Sequence, residues 1–201
     1  MAAVDMVETP LLEEDVLRAQ LYSLLAFYLR AAPDQSGLDI AKQMDGDDTP
    51  IGKAITAFAK VAAKTDPETI SQEYHDLFIG VGRGELLPYG SYYLTGFLNE
   101  KPLAKLRADM AVIGIERQPH VKEPEDHIAA LCEMMSGLIE GTFEQTTDIT
   151  KQKDFYQKHL APWAGHFFAD LEAARSSVFY ACLGSVGAAF IDIENAAFEM
   201  V

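Results

Sequence analysis

Apolar residues recur at helical spacing along nearly the whole chain, and no segment alternates as a half-buried strand would. The first segment, Leu11 to Arg30, has Thr9 placed to cap it and Pro10 at its first helical position, with Glu13, Glu14 and Asp15 in the first turns. Carboxylates there answer free backbone donors and the positive end of the helix. The segment closes at Ala32-Pro33, and Leu17, Leu21, Leu24, Leu25 and Tyr28 form a broad stripe that needs partner helices.

A short helix at Leu38–Met44 gives way to Asp45-Gly46-Asp47-Asp48, a turn by composition. Thr49-Pro50 repeats the cap-plus-proline start for Ile51 to Ala63. Asp66-Pro67-Glu68 does so again for a helix through Ile70, Tyr74, Leu77 and Phe78. After a short helical piece near Ser91–Leu98, Lys101 to Ile113 forms a helix ended by Gly114. An irregular stretch, Ile115 to Lys122, follows. Glu123-Pro124-Glu125-Asp126-His127 then opens a helix through Ile128, Leu131, Cys132, Met135, Leu138 and Ile139 that stops at Gly141. Phe155, Leu160, Trp163, Phe167 and Leu171 line a segment bent or restarted at Pro162. Val178, Phe179, Cys182, Val186, Phe190 and Ile193 line the last, where Gly184 and Gly187 permit close approach by another helix. The pattern predicts an all-α fold: one helical bundle domain over residues 1–201, with long inter-helix loops free to carry function.

The longest break is Gly80-Val81-Gly82-Arg83-Gly84-Glu85-Leu86-Leu87-Pro88-Tyr89-Gly90, which combines four glycines with Leu86, Leu87 and Tyr89. A loop both permissive and apolar is either a crossover packed on its own side chains or a functional surface on a rigid scaffold.

Charge narrows the partners. Against 16 Lys and Arg stand 31 Asp and Glu, a formal net charge of −15, with both halves of the chain acidic. Phosphate backbones are held by clustered cations, so nucleic acid is not the expected partner. Apolar residues make up 49% of the chain, enough for a full core, so the acidity does not signal disorder. The first cation is Arg18, so the amino end lacks an export signal's basic region, and no run of about 18 apolar residues suggests stable membrane insertion. Cys132 and Cys182 lie on apolar faces and read as buried free thiols. A cytoplasmic, reducing location is the expectation.

Enzyme chemistry finds little support. Glu123 and His127 are four residues apart, as ligands on one helix face can be, but neither Glu-x-x-His nor His-Glu-x-x-His occurs. Gly80-x-Gly82-x-Gly84 lacks the Gly-Lys-Ser/Thr of a phosphate loop, leaving only a loose anion contact at Arg83. Ser91 and the two cysteines lack a base at motif spacing, and His75, His159 and His166 read as helix-face or partly buried residues. No catalytic residue, metal or cofactor is expected. The alternative kept open is a helical metal- or nucleotide-dependent hydrolase using Glu123, Asp126 and His127.

Four segments in fixed order carry a resemblance: Glu73-Tyr74-His75-Asp76-Leu77-Phe78-Ile79-Gly80, Pro88-Tyr89-Gly90-Ser91-Tyr92-Tyr93-Leu94, Glu123-Pro124-Glu125-Asp126-His127 and His159-Leu160-Ala161-Pro162-Trp163. With them the chain resembles the TorD family of redox-enzyme maturation chaperones, from the first helix to Phe179-Tyr180. The resemblance implies an all-helical, non-enzymatic chaperone. Its partners would be the twin-arginine signal peptide and the apo-form of a molybdenum oxidoreductase, held until the cofactor is inserted and export is safe. Trimethylamine N-oxide reductase, dimethyl sulfoxide reductase and formate dehydrogenase are all admissible clients, and the chaperone itself could be a monomer or a helix-swapped dimer.

The implied client-binding surface joins Tyr74, Leu77 and Phe78, the loop residues Leu86, Leu87, Pro88, Tyr89 and Ser91, and Glu123, Pro124, Asp126 and His127. Such a signal presents adjacent guanidinium groups followed by an apolar stretch. Carboxylates beside an apolar groove suit it, with Asp126 and Glu123 as bidentate acceptors.

Overall fold

Proline behind a side-chain acceptor starts two helices as the sequence predicts. Thr49 Oγ1 accepts from Gly52 N at 3.1 Å and Asp66 Oδ1 from Thr69 N at 2.9 Å, each just ahead of a proline whose missing N–H would have had no helical partner. The computed structural model describes residues 11–118, 120–143 and 148–201, and the Thr9 cap and Pro10 start fall outside them.

Among the described residues there are ten α-helices and no strand beyond one isolated bridge. They are α1 (Glu13–Arg30), α2 (Gln35–Lys42), α3 (Pro50–Ala62), α4 (Pro67–Tyr74), α5 (Gly90–Thr95), α6 (Lys101–Val112), α7 (Ile128–Glu140), α8 (Ile149–His159), α9 (Ala164–Glu172) and α10 (Phe179–Glu199). A π-helical turn, His75–Ile79, continues α4. Helix α8 ends before Pro162 and α9 begins after it, so the expected restart there is a true break.

Helix α1 lies along α7, and α10 runs between α9 and α3. The contact between α10 and α9 uses both glycines. A Cβ at Gly184 would sit 2.5 Å from Glu172 N, and one at Gly187 would sit 2.1 Å from Phe168 Cδ1. Between these helices Trp163, Tyr22, Tyr28, Phe58, Phe167, Phe179 and Phe190 are fully buried. Helix α10 is long and apolar enough to cross a membrane, but its Tyr180, Leu183, Val186 and Phe190 are core residues here.

The stripe expected on α1 holds at Leu25 and Tyr28, which are buried, and at Leu21 and Leu24, which pack on the core, but not at Leu17. Leu17 is 55% exposed, while Arg18, Ala19, Tyr22 and Leu25 face inward. The cause is a buried ion pair: Arg18 Nε donates to Glu194 Oε1 at 2.7 Å and Nη2 to Oε2 at 3.0 Å, and Tyr22 Oη donates to Oε2 at 2.8 Å. Joining α1 to α10 through this pair leaves Leu17 outside. Val178 and Ile193, expected on the inner face of the last helix, are exposed as well. Cys132 is buried and Cys182 partly so, both as free thiols.

Candidate functional site

The π-helical turn folds the long loop back on itself. Gly80 N donates to His75 O at 2.7 Å, closing the wide turn. The carbonyls of Asp76 and Leu77 are then free to accept from Glu85 N at 3.1 Å and Leu86 N at 2.8 Å. Glycine is required at both ends of this fold. Gly80 has φ +60°, with its Cβ position 2.1 Å from Arg83 O, and a Cβ at Gly84 would lie 2.4 Å from Leu77 O. Glu85 fastens the return, accepting from Arg175 N at 2.9 Å and Ser176 N at 3.1 Å. The loop is thus packed from Leu86 onward and exposed at Val81–Arg83 and at Glu85.

From Pro88 the chain runs extended beside the segment before α7. Tyr89 and His127 form an antiparallel bridge, with Ile128 N donating to Pro88 O and Gly90 N to Asp126 O, both at 2.9 Å. His127, not Glu123, marks the helix start: its Nδ1 accepts from Ala129 N at 3.1 Å as the N-cap of α7. The expectation that the acids occupy a first helical turn is therefore corrected. Pro124 precedes the helix by a turn, and Glu123 through Asp126 form an irregular approach to it. Glu123 and His127 accordingly do not share a helix face.

This bridge forms one wall of a cavity of about 690 Å³. Tyr74 and Phe78, stacked edge to face with centroids 5.0 Å apart, make a second wall, and Ile115, Met110, Ala130 and Met134 close the rest. Four glutamates face it: Glu116, Glu123, Glu125 and Glu133. Two are held by the chain's own arginines. Arg107 Nη2 lies 2.8 Å and Arg117 Nε 3.4 Å from Glu125, and Arg30 pairs with Glu133. Burial alone would raise the Glu125 carboxyl, but the Arg107 hydrogen bonds, a backbone hydrogen bond and the charges of Arg107 and Arg117 together outweigh it and hold the group below its usual range. Glu123 and Glu116 are exposed, and among the described residues no cation pairs with either. Glu123 Oε2 accepts from the Tyr89 hydroxyl at 2.5 Å, and burial together with that bond pushes the phenol well above its ordinary pKa. The His127 ring packs edge to face on Tyr89 at 5.1 Å. Burial, with Arg30 nearby, outweighs the opposing Glu123 charge and takes the ring from 6.5 to about 4, so it is neutral near pH 7.

Of the residues expected on the surface, Tyr74, Phe78, Pro88, Tyr89, Glu123, Pro124 and His127 line this groove together. Leu77 is fully buried core, Leu86 packs against the core and Leu87 is half-buried outside the groove lining. Ser91 and Asp126 are buried behind the bridge, with Asp126 Oδ2 accepting from Ser91 N at 2.7 Å. Arg83 lays its guanidinium over Tyr92, 5.2 Å from the ring centroid, and donates to its hydroxyl. Sequence reasoning missed Arg30, Ile115, Glu116, Val121 and Met134. For Ile115 and Val121 there was a signal, since two apolar residues stand in an irregular stretch just ahead of the acidic motif. Among the described residues no three His, Cys, Asp or Glu side chains group as a metal site would require.

An all-helical body with an apolar groove, rimmed by glutamates of which two lack a cation partner among the described residues, and walled by a folded-back loop, defines a class of binding protein. The sequence profile of the family described as nitrate reductase delta subunit matches residues 44–169, well over half of the chain, and the chain belongs to that family of redox-enzyme maturation chaperones. Chaperone protein TorD of Vibrio parahaemolyticus is 25% identical over 155 residues, covering 73% of this chain and 72% of its own. The TorD of Vibrio cholerae is 25% identical over 187 residues, covering 89% and 80%. In fold, the chain superposes on a candidate redox enzyme maturation protein from Archaeoglobus fulgidus with a TM-score of 0.57 at 21% identity, over 94% of this chain and 99% of that one. The all-helical class and the TorD resemblance both hold, and because the relatives are chaperones the hydrolase alternative falls away. Its residues also part company, Glu123 and His127 facing the groove and Asp126 the opposite side.

Proposed function

We propose that the groove holds the twin-arginine signal peptide of a molybdenum oxidoreductase in the cytoplasm, keeping the client from export until its cofactor is in place. The observation that carries this is the pairing of two exposed glutamates, Glu116 and Glu123, which have no cation partner among the described residues, with apolar walls from Phe78, Pro88, Tyr89 and Met134. Two guanidinium groups find two carboxylates, and the apolar stretch behind them finds an apolar surface. The cavity lies within the usual range for clefts of about 300–1,000 Å³ and takes a few side chains rather than a whole signal. Exposed Ile79 and Val81 on the adjoining turn extend the apolar surface beyond it.

Titrating a labelled twin-arginine peptide tests the reading. Saturable binding that weakens with salt and is lost when both peptide arginines become Gln is the expected result. Equal affinity for the two peptides would overturn it.

A further inference from the structure

Asp126 and Glu123 sit three residues apart in one acidic motif, yet the structure gives them opposite surroundings. Glu123, Pro124, Glu125 and His127 line the groove, and Asp126 does not. Asp126 is 3% exposed and lines a separate cavity of about 500 Å³ behind the bridge, with Leu131, Leu106 and Trp163. Asp126 lies in a turn closed by His127 N on Pro124 O at 3.2 Å, and it faces Gly90 and Ser91 while the next residue, His127, faces the groove.

Among the described residues, Asp126 accepts hydrogen bonds only from Gly90 and Ser91, in the first turn of α5. Its carbonyl accepts from Gly90 N at 2.9 Å and its Oδ2 from Ser91 N at 2.7 Å. Its Oδ1 and the Ser91 hydroxyl are both buried without hydrogen-bond partners among the described residues. The turn they hold leads straight to Tyr89, whose hydroxyl donates to Glu123 and whose ring packs on His127. Gly90 itself rests on the Trp163 indole, where a Cβ would lie 3.1 Å from Nε1.

We infer that Asp126 is a positioning residue that never meets the client, and that Glu123 is the residue of this motif that reads the client's cations. This rests on the signal-peptide reading above. Asp126 acts through a relay of Ser91, Gly90 and Tyr89 that fixes the Glu123 carboxylate at the rim.

The two roles separate on substitution. Asp126→Asn keeps an oxygen for Ser91 N while removing the charge. It should bind the twin-arginine peptide within about twofold of the parent, with the same salt dependence, because no charged contact is lost. Glu123→Gln should weaken binding about tenfold and flatten the salt dependence, as loss of a charge-assisted bond does. Asp126→Ala should weaken binding yet keep the preference for arginine over glutamine in the peptide. Amide exchange gives a readout that needs no peptide: it should accelerate at Gly90 and Ser91 in Asp126→Ala and stay slow in Asp126→Asn. If Asp126→Asn loses affinity and salt dependence as Glu123→Gln does, the assignment is overturned. Unchanged exchange at Gly90 and Ser91 in Asp126→Ala also overturns it, even where the parent binds no peptide and the signal-peptide reading has failed separately.

Discussion

His127 does three jobs with one ring: it caps α7 through Nδ1, packs on Tyr89 and lines the groove. All three use the neutral form, and burial holds the ring neutral by lowering its pKa from 6.5 to about 4. Because the folded pKa lies below the unfolded one, the stabilisation is present above about pH 6.5 and is lost as the pH falls through about 4. A shift of this size corresponds to about 3 kcal/mol. Asn caps helices well and does not titrate, so His127→Asn keeps the cap and removes the linkage. Urea unfolding at pH 7 and pH 4 should show the parent losing about 3 kcal/mol more than the variant. Parallel losses would place the acid sensitivity elsewhere. The sequence exposed Asp126-His127 as a unit because adjacency is all a sequence shows. Their separation onto two sides depends on the extended bridge to Pro88–Gly90, a pairing across more than thirty residues that no local pattern carries.

At the scale of elements, what was legible is what is local. The Thr49-Pro50 and Asp66-Pro67 starts, the Gly114 and Gly141 stops and the break at Pro162 involve residues within four of one another, and each stands. The exposure of Leu17 and the burial of Arg18 on α1 were illegible because the partner, Glu194, lies 176 residues away. That pair makes a sharp prediction. Glu194→Gln takes the buried carboxylate from the Arg18 guanidinium and leaves it only the partly exposed Asp15, 2.8 Å away, as counter-charge, so unfolding should lose about 3 kcal/mol, the low end for a broken buried pair. Replacing both residues by apolar ones of similar volume should restore much of it, because no charge is then stranded. The glycines of α10 were legible as a permission for close approach, though not which helix would use it. Gly187→Ala should destabilise by about 1–3 kcal/mol, since the new methyl meets the buried Phe168 ring. Gly184→Ala meets the α9 backbone at Glu172 instead, which cannot rotate aside, and should lower the melting temperature at least as much.

At the scale of the whole molecule, a net charge of −15 and two carboxylates at a groove make different contributions to the same binding event. A field summed over the surface acts on a basic peptide before contact and raises the association rate, whereas a carboxylate touching a guanidinium acts after contact and slows dissociation. Salt separates them. Raising ionic strength from about 0.01 M to about 0.15 M shortens the screening length from about 30 Å to about 8 Å, which removes most of the long-range field and leaves close pairs largely intact. On the proposed function, stopped-flow binding of the twin-arginine peptide should show an association rate that falls about tenfold across this range, with a dissociation rate changed far less. Glu123→Gln should show the converse at fixed salt, a faster dissociation with nearly the parent's association rate, because one charge among so many barely alters the distant field. Were the association rate indifferent to salt, the acidic background would be only a solvated helical surface, and recognition would rest on the groove alone.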